Sequence, residues 1–128
     1  MAVTIEDIEA YLVDVKASIR NGKYRVEQNS NRSDNMDLFI DYVIDKRKEK
    51  EILLSLTPMD FSEIRHNRKP GYEHELLYVF GKEVELLQRF GSRKEQVALY
   101  IKFNKLESKY VIVISFHKQK YPLKYAFK

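Results

Sequence analysis

Gln96-Val97-Ala98-Leu99-Tyr100-Ile101-Lys102-Phe103 and Lys109-Tyr110-Val111-Ile112-Val113-Ile114-Ser115-Phe116-His117-Lys118 decide how this chain folds. Both stretches are rich in β-branched and aromatic residues and alternate with a period of two, the mark of strands with one buried face. The alternation puts Tyr100 and Lys102 on one face, opposite Leu99, Ile101 and Phe103, and ends the second strand in Ser115 and His117. A phenol, an imidazole and cations are thereby expected at one end of a sheet. From Lys102 to Lys128 there are seven lysines and one acid, Glu107, a net +6 against −2 for residues 1–101. Positive charge localised in this way points to a polyanion partner.

Working outward from these strands, Leu76 to Leu87 alternates loosely and reads as a third strand, with Gly81 as a bulge or a point of close approach. Phe90 to Glu95 is the hairpin connection. Further upstream the period changes. Ile5, Ile8, Leu12, Val15 and Ile19 step by three and four, one stripe of an amphipathic helix, with Thr4 and Asp7 as a capping box and Asn21-Gly22 as a left-handed stop. Lys23 to Arg32 reads as a short extended piece and a loop. Met36, Phe39, Ile40, Val43 and Ile44 form a second helical stripe behind Ser33 or Asp34 as cap. Asp45 to Glu51 mixes charges as a solvated helical face or turn does, and Ile52 to Leu56 follow as buried helix ended by Pro58. Thr57-Pro58-Met59-Asp60 resembles a fresh N-terminus opening a short turn through Phe61 and Ile64. Arg65 to Tyr72 is a basic loop turning at Pro70-Gly71. The expected architecture is α+β: N-terminal helices packed on a three- to four-stranded antiparallel sheet, in one domain over residues 1–128.

A chain of 128 residues with 44% hydrophobic and 33% charged residues is expected to build one globular core without disulfides. The absence of cysteine removes thiolate nucleophiles and cysteine zinc sites, and fits a reducing interior. The longest purely apolar run, Val111 to Ile114, is far too short for a membrane span, and the acidic start lacks a cationic leader, so the expectation is a soluble cytoplasmic protein without a membrane partner. Gly22, Gly71, Gly81 and Gly91 are scattered rather than gathered into a phosphate loop. His66, His74 and His117 lie on different predicted elements with no carboxylates at ligand spacing, so neither a metal site nor a cofactor is expected. Thr57 and Ser115 carry no nucleophile signature.

Cleaving RNA through its own 2′-hydroxyl requires a base, an acid and cations for the phosphate, roles that Lys, Arg, His and Tyr can fill. Four blocks make this chemistry specific: Leu54-Ser55-Leu56 with Asp60-Phe61, Tyr78-Val79-Phe80-Gly81-Lys82, Leu99-Tyr100-Ile101-Lys102, and Ile114-Ser115-Phe116-His117-Lys118 with Tyr121-Pro122-Leu123. In this order they resemble the MqsR family of toxin–antitoxin ribonucleases, relatives of the RelE-type mRNA interferases. The resemblance covers Ile52 to the end, and the N-terminal helices by pattern and length. It implies a RelE-like fold, cleavage of single-stranded mRNA and neutralisation by a cognate antitoxin, and it leaves ribosome association open. By resemblance the family's strand tyrosine falls on Tyr100 and its last-strand basic residue on His117. The better-known members carry lysine at that last position and a glutamine near Tyr78, and their lysine after Asp-Phe-Tyr falls on Glu63, with Arg65 within reach of the same area.

The expected catalytic set is therefore Tyr100, His117, Lys102 and Lys118, with Lys82, Arg65, Arg68 and Tyr78 as RNA or phosphate contacts. His117 is the favoured acid or base, because imidazole titrates near neutral pH. Tyr121, Tyr125 and Phe127 are expected to pin the C-terminus to the core rather than to stack on bases. The competing expectation is an RNA-binding or regulatory protein that does not cleave.

Overall fold

Ile8, Tyr11, Leu12, Val15 and Ile19 fall on one side of a helix, α1 (Ile5–Arg20), and all five are buried. The Thr4–Asp7 capping box is formed, and Gly22 takes the left-handed conformation (φ 71°) that ends the helix. The computed structural model describes residues 2–128. Beyond α1 come β1 (Tyr24–Val26), a 3₁₀ turn (Ser30–Arg32), α2 (Ser33–Asp41), β2 (Tyr42–Val43), α3 (Lys46–Leu54) and a 3₁₀ turn (Pro58–Asp60). β3 (Phe61–His66), β4 (Leu76–Gln88), β5 (Lys94–Lys105) and β6 (Val111–Lys118) complete the chain.

The α+β layout holds, but the sheet is larger than the sequence indicates. It has six strands in the order β1-β6-β5-β4-β2, with β3 also on β4, and it is mixed because β1 runs parallel to β6. The expected three-stranded antiparallel unit is its centre, β4-β5-β6. β3 pairs along Leu76–Phe80 of β4, whereas β2 pairs with Leu87 and Gln88 at the other end of the same strand. Phe61 to His66 is therefore a strand, and the short helical turn expected there stops at Asp60. The Thr57–Asp60 capping box closes that turn after three residues. The second helix likewise ends at Asp41, because Tyr42 is drawn onto β4 and its hydroxyl donates to Glu95. Val43 lies in β2, and Met36 and Ile40 are exposed, so the α2 stripe that is buried is Asn35 and Leu38.

Cross-strand partners share a face, so the register sorts the sheet into two. Tyr78, Phe80, Ile101, Phe103, Val113 and Phe116 form the face under α1 and α3, where Tyr11 stacks on Tyr78 with centroids 3.7 Å apart. The opposite face carries Leu77, Tyr100, Lys102, Asn104, Ser115 and His117. A bulge at β6 interrupts the alternation: Lys102 faces Ser115 and Phe103 faces Val113, leaving Ile114 unpaired.

Beyond the end of β1, the side chain of Asn35 continues the sheet. Its Oδ1 accepts from the Phe116 N–H at 2.8 Å, and its Nδ2 donates to the carbonyls of Ile114 and Glu27 at 3.0 and 2.9 Å. At 1% exposure, this amide is what satisfies the β6 backbone where no strand neighbours it.

The tail after β6 folds back over the sheet at Gly81. A Cβ there would stand 2.5 Å from the Tyr125 hydroxyl, 2.6 Å from Leu123 Cδ1 and 2.8 Å from Gln119 Nε2. Gly81 is thus a point of close approach, and no bulge falls on it. The tail continues along β3, where Ala126 N–H donates to the Phe61 carbonyl, Ser62 Oγ to the Lys124 carbonyl, and Phe127 stacks on Phe61. Tyr125 and Phe127 pin the terminus as expected, whereas Tyr121 is exposed.

Asn35→Ala would strand the Phe116 N–H and the Ile114 carbonyl together, and should lower unfolding free energy by about 2–4 kcal/mol in denaturant titration. Gly81→Leu should release the tail, read as early proteolytic loss of the last ten residues while the sheet stays protected.

Candidate nucleic-acid interface

The sheet face opposite α1 and α3 holds the candidate chemistry. Tyr100 and His117 are direct cross-strand partners with parallel rings, centroids 5.2 Å apart and planes 8° apart. Lys102 and Ser115 form the next pair on the same face. From β3, Arg65 joins this face through its pairing with Leu77. Its guanidinium sits against the Tyr100 hydroxyl.

A cavity of about 410 Å³ lies over this face, lined by Arg32, Arg65, Arg68, Lys69 and Lys102 among the cations, with His66, Asn67, Leu77 and Ile114 completing it. No carboxylate lines it among the described residues. The electrostatic consequence shows at Lys102, half-buried on the cavity floor: burial first, then the fields of Arg32 and Arg65, hold its ammonium below the ordinary lysine range. Tyr100 moves the other way. Burial raises its phenol above the usual tyrosine range, and the neighbouring Arg65 only partly offsets this. Tyr100 is therefore a hydrogen-bond donor and a stacking surface at neutral pH rather than a base.

His117 has a defined polarity. Its Nδ1 lies 2.8 Å from the Lys118 carbonyl oxygen, which can only accept, so Nδ1 carries the proton and Nε2 holds the lone pair of the neutral ring. Along β5, the stacked pair is the same-face neighbour of the Lys102–Ser115 pair. The far side of His117 borders a second cavity, of about 240 Å³, that the α2 acids Asp34, Asp37 and Asp41 line together with Lys118 and Lys120. Of these acids Asp34 is tied to Lys120 at 2.7 Å, which holds its carboxyl below the usual range.

Of the residues singled out from sequence, Lys102, Arg65 and Arg68 line the cationic cavity, while Tyr100 and His117 share its sheet face without lining it. Three lie elsewhere. Lys118 follows His117 and so alternates to the other face, where its ammonium lies 5.1 Å over the Tyr42 ring; Tyr42 and then Glu95 hold its charge above the ordinary range. Lys82 pairs with Asp60 at 3.1 Å beneath the helices. Tyr78 is stacked against Tyr11 in the core. Conversely, Arg32, Asn67 and Lys69 line the cavity without having stood out in the sequence. Arg32 arrives from the 3₁₀ turn after β1, far upstream of Lys102, carried there by the parallel pairing of β1 with β6. Asn67 and Lys69 had a visible signal, their neighbourhood in the basic run Arg65 to Lys69.

Among the described residues no three His, Asp or Glu side chains converge as metal ligands, and no helix is long and apolar enough to cross a membrane. Comparison with protein-family models, with curated proteins and with solved structures gives no match.

The depressed Lys102 has a definite sign in stability. The folded chain holds this proton less tightly than the unfolded chain does. Stability therefore rises with pH between the lowered value and the ordinary one near 10.4. Lys102→Met should raise the thermal midpoint at pH 7 and remove this part of the alkaline rise, as followed by circular dichroism.

Proposed function

We propose that this protein is a metal-independent endoribonuclease of the MqsR type, a RelE-like toxin that cleaves single-stranded mRNA in the cytoplasm and is held inactive by a cognate antitoxin. What supports the reading, beyond the sequence blocks that resemble that family, is one observation: five cations and no acid line a cavity on an open sheet face, next to a stacked Tyr100–His117 pair. Single-stranded nucleic acid is the ligand such a face suits, since phosphates follow the cations and bases stack on aromatic rings.

The chemistry follows from the groups present. His117 Nε2 removes the proton of a ribose 2′-hydroxyl, and the oxygen forms a bond to phosphorus as the bond to the 5′-oxygen breaks. Lys102, acidified by its surroundings, supplies the proton that the leaving 5′-oxygen takes up. Arg65 and Arg32 hold the non-bridging oxygens as negative charge grows on them. Tyr100 positions the imidazole and donates a hydrogen bond. The products are a 2′,3′-cyclic phosphate and a free 5′-hydroxyl. Lys118 and Lys82 have no part in this scheme, because each is engaged elsewhere.

Purified protein should cleave single-stranded RNA in EDTA, and a 2′-deoxy substitution at the cut position should stop the reaction. Restoration of a chelator-abolished activity by Mg²⁺ would overturn the scheme. His117→Ala should slow cleavage about a hundredfold or more with RNA affinity nearly unchanged. A wild-type rate in that variant would remove His117 from the mechanism. Arg65→Ala and Lys102→Ala should each lower the log–log salt slope of binding by roughly 0.7, the loss of one phosphate contact on a single strand. RNA that binds and is never cut would mark a binding protein instead.

A further inference from the structure

The cationic cavity continues into a larger one of about 680 Å³, and Arg32, Asn67, Lys69 and Ile114 line both. Its chemistry is different. Arg25 and Tyr72 flank it, while Asn67, Asn104 and Glu75 cluster on its wall. Glu75 Oε1 accepts two hydrogen bonds, from Asn67 Nδ2 at 2.9 Å and from Asn104 Nδ2 at 3.1 Å. A carboxylate only accepts, so both amides must present their nitrogens to it and their orientation is settled. Asn104 is 93% buried on β5, and the backbone N–H of Asn67 donates to the Glu75 carbonyl at 3.0 Å, so the carboxylate is held from two elements. Among the described residues Glu75 forms no ion pair, although Lys69 and Arg32 line the same cavity, and Oε2 carries no hydrogen bond. Tyr72, 45% exposed with the Lys69 ammonium 5.1 Å over its ring, offers a flat surface beside it.

We propose that this larger cavity is a nucleobase-reading subsite, resting on the RNA-binding reading of the cationic one: a base stacks on Tyr72 and donates an N–H of its exocyclic amine to Glu75 Oε2. The argument is one of polarity. Cations suffice to hold phosphate, and a fixed acceptor among them only weakens that attraction unless it meets a donor on the ligand. Adenine, cytosine and guanine carry an exocyclic amine. Uracil presents carbonyl oxygen in its place, and its one donor on that edge, N3–H, is flanked by two carbonyls that the carboxylate would repel. The subsite therefore selects amine-bearing bases against uracil at one position of the bound strand, while the adjoining cationic cavity is indifferent to sequence.

The test uses the intact protein and short oligo(C) and oligo(U) RNAs carrying a 2′-O-methyl group at every position to prevent cleavage. Wild-type protein should favour oligo(C) about tenfold, the worth of one charge-assisted hydrogen bond. Glu75→Gln keeps an oxygen for Asn67 and Asn104 and turns an amide N–H₂ outward, so the preference should vanish or reverse toward oligo(U). An oligomer of N4,N4-dimethylcytosine, which has no amine hydrogen, should bind wild-type protein as weakly as oligo(U) does, with no variant required. Salt-sensitive binding to all three oligomers with one affinity, unchanged by Glu75→Gln, would overturn the subsite while leaving the cationic cavity as an RNA site. Failure of every oligomer, and of an all-ribose strand, to bind at low salt would overturn both readings.

Discussion

The register between β5 and β6 is the constraint on which the rest of this structure depends. It places Tyr100 across from His117 and Lys102 across from Ser115, and it sends Ile101, Phe103, Val113 and Phe116 into the core beneath α1. A slip of one residue would exchange these two sets, burying an imidazole and a lysine and exposing the aromatic residues. The β6 bulge has a second effect. It turns Ile114 onto the open face, where it lines both cavities, and offers its carbonyl to Asn35. The amide of Asn35 then completes the pairing of β6 where β1 has ended. Core and candidate site are thus fixed by the same hydrogen bonds.

Placing α1 and α3 on one side of the sheet leaves the other side to the C-terminal tail at Gly81 and to the cationic cavity beyond it. Five cations around one cavity repel one another, and Lys102 bears the consequence because it is the one on the floor. A bound anion would relieve that repulsion and draw its proton affinity back toward the ordinary lysine range. Lys82 shows the contrast. It is a lysine on the neighbouring strand, but Asp60 neutralises it at 3.1 Å, and its charge supports the fold instead.

The period-two pattern of Gln96 to Phe103 was sufficient to place Tyr100 and Lys102 together, and the ending of the next strand brought His117 to them. Those local rules carry over because both strands are long and have one buried face. They misplaced Lys118, although the same alternation implies that neighbours on a strand point apart. They also missed β3: Phe61 to His66 contains a register shift that blurs its alternation, and a helix-like capping box stands just before it. Val43 and Ile44 continue the apolar spacing of α2 past its end at Asp41, while the pull of β4 on Tyr42 is a tertiary effect with no local signature. Arg32 could not have been found locally at all, since its place in the cavity depends on a parallel pairing between distant segments. Glu75 is similar: nothing near it in sequence shows that Asn104 holds its carboxylate.

The parallel pairing of Tyr24–Val26 with Val111–Val113 has a consequence for how the protein is made. Among the described strands β6 is synthesised after all the others, and it is the one neighbour of β1. Contacts between such distant segments form only after long loops have closed, so the chain should collapse late and in one cooperative step rather than build up from its N-terminus. A nascent chain lacking β6 has α1 in place but no sheet partner for β1, nothing for Asn35 to bridge, and no face on which Tyr100 meets His117. Whatever this surface does, it can begin only once β6 has joined β5.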